Sequence, residues 1–194
     1  MAFGMAAVVP AASPPIHKMF VWAMGKDAAH VSEVELDLLE ELAKHQIAGE
    51  RASKIFPQGL PASPTDAIAQ MRAQGCDFLL VLRRVSTVRW DSDAPGSSLQ
   101  AFLGKSAELL DPQDPVKEGS LAPIEVTNAA GNAGWEISKG EAIVFDLTSE
   151  RKRWRGDTQV KSAKDLPQAR YYRDVAGKVV LKLVKAGLIP PSNR

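Results

Sequence analysis

The hydrophobic pattern of the first half of the chain predicts alternating strands and helices. Short apolar runs of strand length are separated by segments whose leucines repeat at helical spacing. Ser32 and Glu35 form a capping-box pattern ahead of the first such segment, and Gly75 is placed to end the second. The predicted order is strand 18–24, helix 32–49, strand 52–56, helix 63–75 and strand 76–90.

The pattern changes in the second half of the chain. Residues 91–140 hold most of the Pro, Gly, Ser and Asn clusters and are predicted to form a long irregular insertion. Strands at 142–147 and 152–159 then predict a hairpin in which Gly156 suggests a bulge. A last helix over about 167–186 places its apolar residues on one stripe, which is typical of packing on a sheet.

These elements predict a single α/β domain with a mixed, mostly parallel five-stranded sheet flanked by helices. The order is β-α-β-α-β-insertion-β-β-α, and the strand–helix pairs at its start favour parallel pairing with right-handed crossovers. The domain is expected to span 18–189, between a flexible tail at 1–17 and a short tail at 190–194. A length of 194 residues with 45% hydrophobic residues suits one such domain.

Composition excludes several classes of protein. The net charge of +1 gives no broad field that would attract nucleic acid or anionic lipid. Cys76 is the only cysteine, so no internal disulfide can form, and its place before a buried strand suits a small hydrophobe. No stretch approaches the length of a membrane span. The start of the chain lacks the basic region of a secretory signal, so no targeting signal is visible.

The sequence holds no pattern that predicts a catalytic or metal site. Residues 104–106 (Gly-Lys-Ser) resemble the end of a P-loop, but bulky Leu99 stands where that loop needs its first glycine. His17, His30 and His45 lack the spacing of metal ligands. We therefore predict no catalytic residue, metal or cofactor. A hydrolase whose catalytic groups meet only in space stays open as a third hypothesis.

The sharpest charged cluster is the run at 151–155, Arg-Lys-Arg-Trp-Arg. Basic residues around an aromatic side chain can follow phosphates and stack a base. Strand alternation predicts that Arg151, Arg153 and Arg155 share one face and that Trp154, on the other, is core or half-buried. Lys and Arg on an edge strand also prevent unwanted pairing. Three interpretations stay open: a protective edge, a contact with protein or an envelope polymer, and a nucleic-acid site.

Three motifs near the C-terminus carry a resemblance to bacterial envelope proteins. They are Val144-Phe145-Asp146-Leu147, Lys152-Arg153-Trp154-Arg155-Gly156 and Ala186-Gly187-Leu188-Ile189. With the order of elements, they resemble the anticodon-binding-like α/β domain of the N-terminal part of TolB and of envelope lipoproteins, including activators of peptidoglycan synthases and CsgG-like components. The resemblance implies a non-enzymatic protein of the periplasm or outer membrane that docks other envelope components. Membrane association would then need a lipid anchor or signal that this chain does not show.

We therefore expect a binding or scaffolding domain of the bacterial cell envelope, with envelope proteins as its partners. The alternative is a nucleic-acid-binding module that uses the basic hairpin at 151–155. Apolar and aromatic residues in an irregular segment need either a core or a partner, so packing onto their own domain is the competing interpretation for each. The candidate contact residues of the two hypotheses are Trp90, Phe102, Leu103, Trp135, Arg151, Arg153 and Arg155.

Overall fold

The computed structural model describes residues 16–24, 28–84, 99–104, 124–127, 133–163 and 168–192. Within these ranges the chain forms a mixed sheet with helices on both faces. The strands are β1 (Lys18–Ala23), β2 (Ala48–Arg51), β3 (Phe78–Arg84), β4 (Ile124–Thr127), β5 (Ala133–Asp146) and β6 (Lys152–Ala163). The helices are α1 (Ala28–Ala43), α2 (Ala52–Ile55), α3 (Pro64–Ala73), α4 (Leu99–Gly104) and α5 (Gln168–Lys185).

The sheet has a parallel end and an antiparallel end. The strand order is β2-β1-β3-β5-β4, and β6 also pairs with β5. β1 is parallel to both β2 and β3, whereas β5 is antiparallel to β3, β4 and β6. The parallel end follows from the strand–helix crossovers at the start of the chain. The predicted fold class, a single α/β domain with a mixed sheet flanked by helices, is confirmed.

The described residues include one strand more than the five predicted, because part of the expected irregular insertion is regular. The segment 91–140 contains α4, β4 and the first half of β5. β5 pairs with β4 near its start and with β3 near its end, so this one long strand joins the extra strand to the sheet. Ile124 and Val126, like Trp135 and Ile137, alternate at strand period, but the Gly and Asn residues around them hide the pattern.

The second strand lies earlier in the chain than predicted. Residues 52–56 were predicted to form a strand, but α2 occupies Ala52–Ile55 and β2 precedes it. Gly49 of β2 lies directly under α1: a Cβ added there would come within 2.3 Å of Leu39 Cδ2. This glycine therefore allows α1 to pack closely on β2.

Two apolar clusters cover the two faces of the sheet. The first lies between the sheet and helices α1 and α5, and it includes Met19 and Val21 of β1. The second lies on the other face, against α2, α3 and α4, and it includes Phe20 of the same strand. The predicted apolar stripe of the last helix is confirmed, since its members all pack in the first cluster. They are Tyr172, Val175, Ala176, Val179, Val180, Leu183 and Val184.

The last helix ends in the Schellman motif that Gly187 predicts. Gly187 has a φ of +69°, its N–H donates to the carbonyl of Val184 at 2.9 Å, and the N–H of Leu188 donates to the carbonyl of Leu183 at 3.0 Å. Among the helices in the described part of the chain, none is long and apolar enough to cross a membrane.

Candidate functional site

A cavity of about 530 Å³ opens at the carboxyl ends of β1 and β2. Fourteen residues line it, and they come from the ends of β1 and β2, the first turns of α1, α2 and the segment that follows α2. Ligands of open α/β sheets bind at the carboxyl edge of parallel strands. The volume also falls within the range of small-ligand sites, about 300–1,000 Å³. The cavity is therefore the candidate binding site.

Glu35 forms the inner wall of the cavity and is fully buried. Its Oε1 accepts a hydrogen bond from the N–H of Ala23 at 3.1 Å, and its Oε2 accepts one from the N–H of Ser53 at 2.9 Å. This carboxyl group thereby ties α1 to the end of β1 and to α2. Burial raises the pKa of Glu35 above its ordinary value, and the hydrogen bonds from Ser53 and Ala23 oppose that rise.

Two cations complete the polar side of the cavity. Arg51, the last residue of β2, donates from Nη1 to Ser32 Oγ at 3.2 Å. Its positive charge also acts against the rise in the pKa of Glu35. Lys54 of α2 pairs with Glu50 Oε2 at 3.6 Å, and 63% of its side chain is exposed. Among the fourteen lining residues, Glu35 is the only acid.

Part of the cavity lining is apolar and packs against the core. Trp22 and Leu60 pack against the second apolar cluster, and Phe56 belongs to it. The ring of Phe56 lies 5.6 Å from the ring of Phe20, between ring centroids. Because these side chains are fixed by core contacts, the apolar wall is preformed.

The chemistry that this arrangement supports is binding. No histidine or cysteine is among the fourteen lining residues. Cys76 is buried elsewhere, and burial raises the pKa of its thiol to about 11. The described residues contain no group of three or more His, Cys, Asp or Glu side chains that could hold a metal ion. The lining of the cavity combines two cations with apolar side chains.

The apolar and aromatic contact residues predicted from the sequence lie on different elements or outside the described residues. Trp90 lies outside the described residues, Phe102 is in α4, and Trp135 is in β5. Leu103 is 7% exposed and packs in the second apolar cluster. Packing onto its own domain is therefore the interpretation that fits Leu103.

The basic hairpin contains a bulge at Arg153 rather than at Gly156. Trp154 and Lys152 pair with successive residues of β5, which leaves Arg153 as the extra residue of β6. The bulge interrupts the alternation that placed the three arginines on one face. Trp154 packs against the first apolar cluster, as predicted. A Cβ at Gly156 would lie 2.4 Å from Trp154 Cζ2, so this glycine makes room for the indole.

Arg155 belongs to a cluster of charged side chains on the neighbouring strands β3, β5 and β6. Glu141 of β5 is fully buried, and its Oε2 accepts a hydrogen bond from Arg83 Nε at 2.7 Å. Glu141 Oε1 contacts Arg155 Nε, although the contact lacks hydrogen-bond geometry. Two guanidinium groups therefore share one carboxylate. Arg155 and Trp154 have structural roles, whereas Arg151 is exposed and Arg153 is partly exposed, and this division does not favour the nucleic-acid hypothesis.

Comparison with known proteins finds similarity in solved structures alone. No family model and no curated protein matches the chain. A PelC dodecamer structure from Paraburkholderia phytofirmans has a TM-score of 0.48 at 10% identity, with 88% of this chain and 89% of that chain covered. Lipoprotein GNA1162 from Neisseria meningitidis gives 0.45 at 8% identity, with 87% and 99% covered. A minor lipoprotein from Acinetobacter baumannii gives 0.41 at 7%, with 90% and 97% covered. These values assign no family.

Proposed function

We propose that this chain is a non-enzymatic binding domain of the bacterial cell envelope, and that it docks other envelope proteins at the cavity beside β1 and β2. The observation that supports docking is the cavity itself. Its apolar residues are held by core contacts, two cations lie in the same lining, and it lies at the sheet edge where α/β domains bind their ligands. The envelope location follows the resemblance of the C-terminal motifs to envelope lipoproteins.

The contacts of the buried reactive groups support binding rather than catalysis. Glu35 is engaged by two backbone N–H groups, and Glu141 lies between Arg83 and Arg155. Burial keeps the thiol of Cys76 protonated at neutral pH, because its pKa is raised to about 11. Each of these groups therefore has a structural role in the fold.

A matched pair of substitutions on α1 tests the proposal. Ala28 is exposed and lines the cavity, whereas Ala43 is exposed at the other end of the same helix and does not line it. Ala28→Trp places a large side chain at the cavity, and Ala43→Trp adds the same surface elsewhere. The full chain and both variants are tagged, cells are fractionated, and proteins that co-purify from the solubilised envelope are identified by mass.

We expect the native chain to be recovered with the envelope and to retain a defined partner. Ala28→Trp should lose that partner, and Ala43→Trp should keep it. Circular dichroism checks that both variants are folded. Recovery of the protein in the cytosol would overturn the envelope location. Equal partner capture by a folded Ala28→Trp variant would overturn docking at the cavity.

A further inference from the structure

Arg51 favours an anionic ligand group in the cavity. The lining contains two cations, Arg51 and Lys54, and one acid, Glu35, and Lys54 is also paired with Glu50 at 3.6 Å. The carboxyl oxygens of Glu35 already accept hydrogen bonds from two backbone N–H groups. The bond from Arg51 to Ser32 uses one of the five N–H donors of a guanidinium group. A planar guanidinium group also matches the geometry of a carboxylate, which it can bind through two parallel hydrogen bonds.

The apolar wall defines the rest of the ligand. Trp22, Phe56 and Leu60 lie in the same lining as the two cations. Their contacts with the second apolar cluster fix them in place, so an apolar ligand body would be buried without first ordering the wall. A ligand that fits both sides carries an anionic head next to a compact apolar body.

We propose that the cavity binds a small amphipathic carboxylate, with its carboxylate at Arg51 and Lys54 and its apolar body against Trp22, Phe56 and Leu60. This proposal rests on the proposed function, because the C-terminal end of a docked protein presents the same chemistry. A free aliphatic acid is the other source of it.

Nuclear magnetic resonance titration of the full chain tests the ligand class with matched probes. Octanoate and octylamine share one tail and differ in the head group. N-acetyl-Ala-Leu-Phe with a C-terminal carboxylate, and the same peptide with a C-terminal amide, represent the protein source. We expect octanoate or the peptide carboxylate to shift the amide signals of Ser53 and Leu60. Octylamine and the peptide amide should bind at least about tenfold more weakly than their carboxylate counterparts.

Two variants and a control locate the head group. Arg51→Gln and Lys54→Gln should each weaken carboxylate binding, Arg51→Gln by about tenfold or more. Lys44→Gln is the control, because Lys44 is a similarly exposed lysine paired with Glu41 away from the cavity. Its affinity should match that of the native chain. Carboxylate affinity that neither cavity variant changes would overturn the proposal.

The probes also separate this proposal from the proposed function. Binding of the peptide carboxylate alone supports the protein source, and binding of octanoate alone supports a free acid. If neither carboxylate binds, or if octylamine binds as tightly as octanoate, the ligand class is wrong. Loss of the protein partner in Ala28→Trp would then still support docking. Carboxylate binding together with unchanged partner capture by Ala28→Trp would overturn docking and keep the ligand site.

Discussion

Glu35 and Glu141 are both fully buried, yet the two regions around them hold a carboxyl group in opposite ways. Glu35, at the end of the parallel strands, accepts from backbone N–H groups and lies beside a cavity. Glu141, in the antiparallel part of the sheet, lies between two guanidinium groups. Backbone donors come with the fold and take up no side-chain volume, whereas arginine side chains occupy the space around the acid. Backbone donors therefore allow the buried Glu35 to lie beside an open cavity, whereas the arginines around Glu141 fill the space next to it.

The largest expected effect is at the buried charge cluster of Glu141, Arg83 and Arg155. Glu141→Gln should lower the free energy of unfolding by about 3–5 kcal/mol, because it leaves two guanidinium groups without their counter-charge, and the Arg83 side chain is only 7% exposed. Urea denaturation measures the change. Glu40→Gln, an exposed residue of α1, is the control and should change stability by less than about 0.5 kcal/mol. Equal effects of the two substitutions would contradict the account of this cluster.

A smaller loss is expected at the carboxyl group beside the cavity. Glu35→Gln should cost about 1–3 kcal/mol, since the amide supplies one acceptor oxygen whereas the N–H groups of Ala23 and Ser53 need two. The exposed Glu33 on the same helix gives the matched control, Glu33→Gln. If Glu35→Gln cost as much as Glu141→Gln, the contrast between the two regions would fail.

A substitution at Gly156 tests the packing next to the buried charge cluster. Gly156→Ala should destabilise the domain by about 1–3 kcal/mol, because its Cβ would lie 2.4 Å from the Trp154 ring. Gly177→Ala is the matched control in α5, where an added Cβ meets no atom within 4 Å. That variant should be more stable than the native chain by about 0.5–1 kcal/mol. Tolerance of alanine at both positions would show that the indole does not lie over Gly156.

The pH dependence of stability should differ between the native chain and Glu35→Gln. Burial raises the pKa of Glu35 in the folded state, so the folded state binds this proton more tightly than the unfolded state. The stability of the native chain relative to the variant should therefore fall as pH rises from the ordinary value of 4.5 through the folded-state pKa, and stay level above it. Denaturation of both proteins across pH measures this difference. A difference that rises with pH would contradict the account.

The sequence predicted the elements whose structure is indicated by residues close together in the chain. The apolar stripe of α5 and the left-handed conformation of Gly187 are both indicated by the local sequence, and both are confirmed. β2 and β4 are each only four residues long, which is the shortest length at which alternation indicates a strand. Gly49 accommodates α1, and β4 pairs with the start of β5 across a connection rich in Gly and Asn. Their periodicity was therefore too short to identify them from the sequence.

The same error hid the candidate site. A strand predicted at 52–56 places Ser53 and Lys54 inside the sheet, whereas the observed β2 ends at Arg51 and leaves both at its carboxyl edge. Glu35 reads as a capping-box residue after Ser32, but α1 begins earlier, at Ala28, so its carboxyl group reaches β1 and α2 instead. The signal that could have found the site is the group of polar residues Glu50, Arg51, Ser53 and Lys54, which lies between the predicted helices at 32–49 and 63–75.

The most direct test of the central claim is photo-crosslinking in living cells, with p-benzoylphenylalanine introduced at position 28 or at position 153. Position 28 lines the cavity, and position 153 is the bulge of the basic hairpin. We predict a covalent adduct with an envelope protein from position 28 and none from position 153. Adducts with protein or nucleic acid from position 153, and none from position 28, would contradict the claim that the cavity is the functional surface.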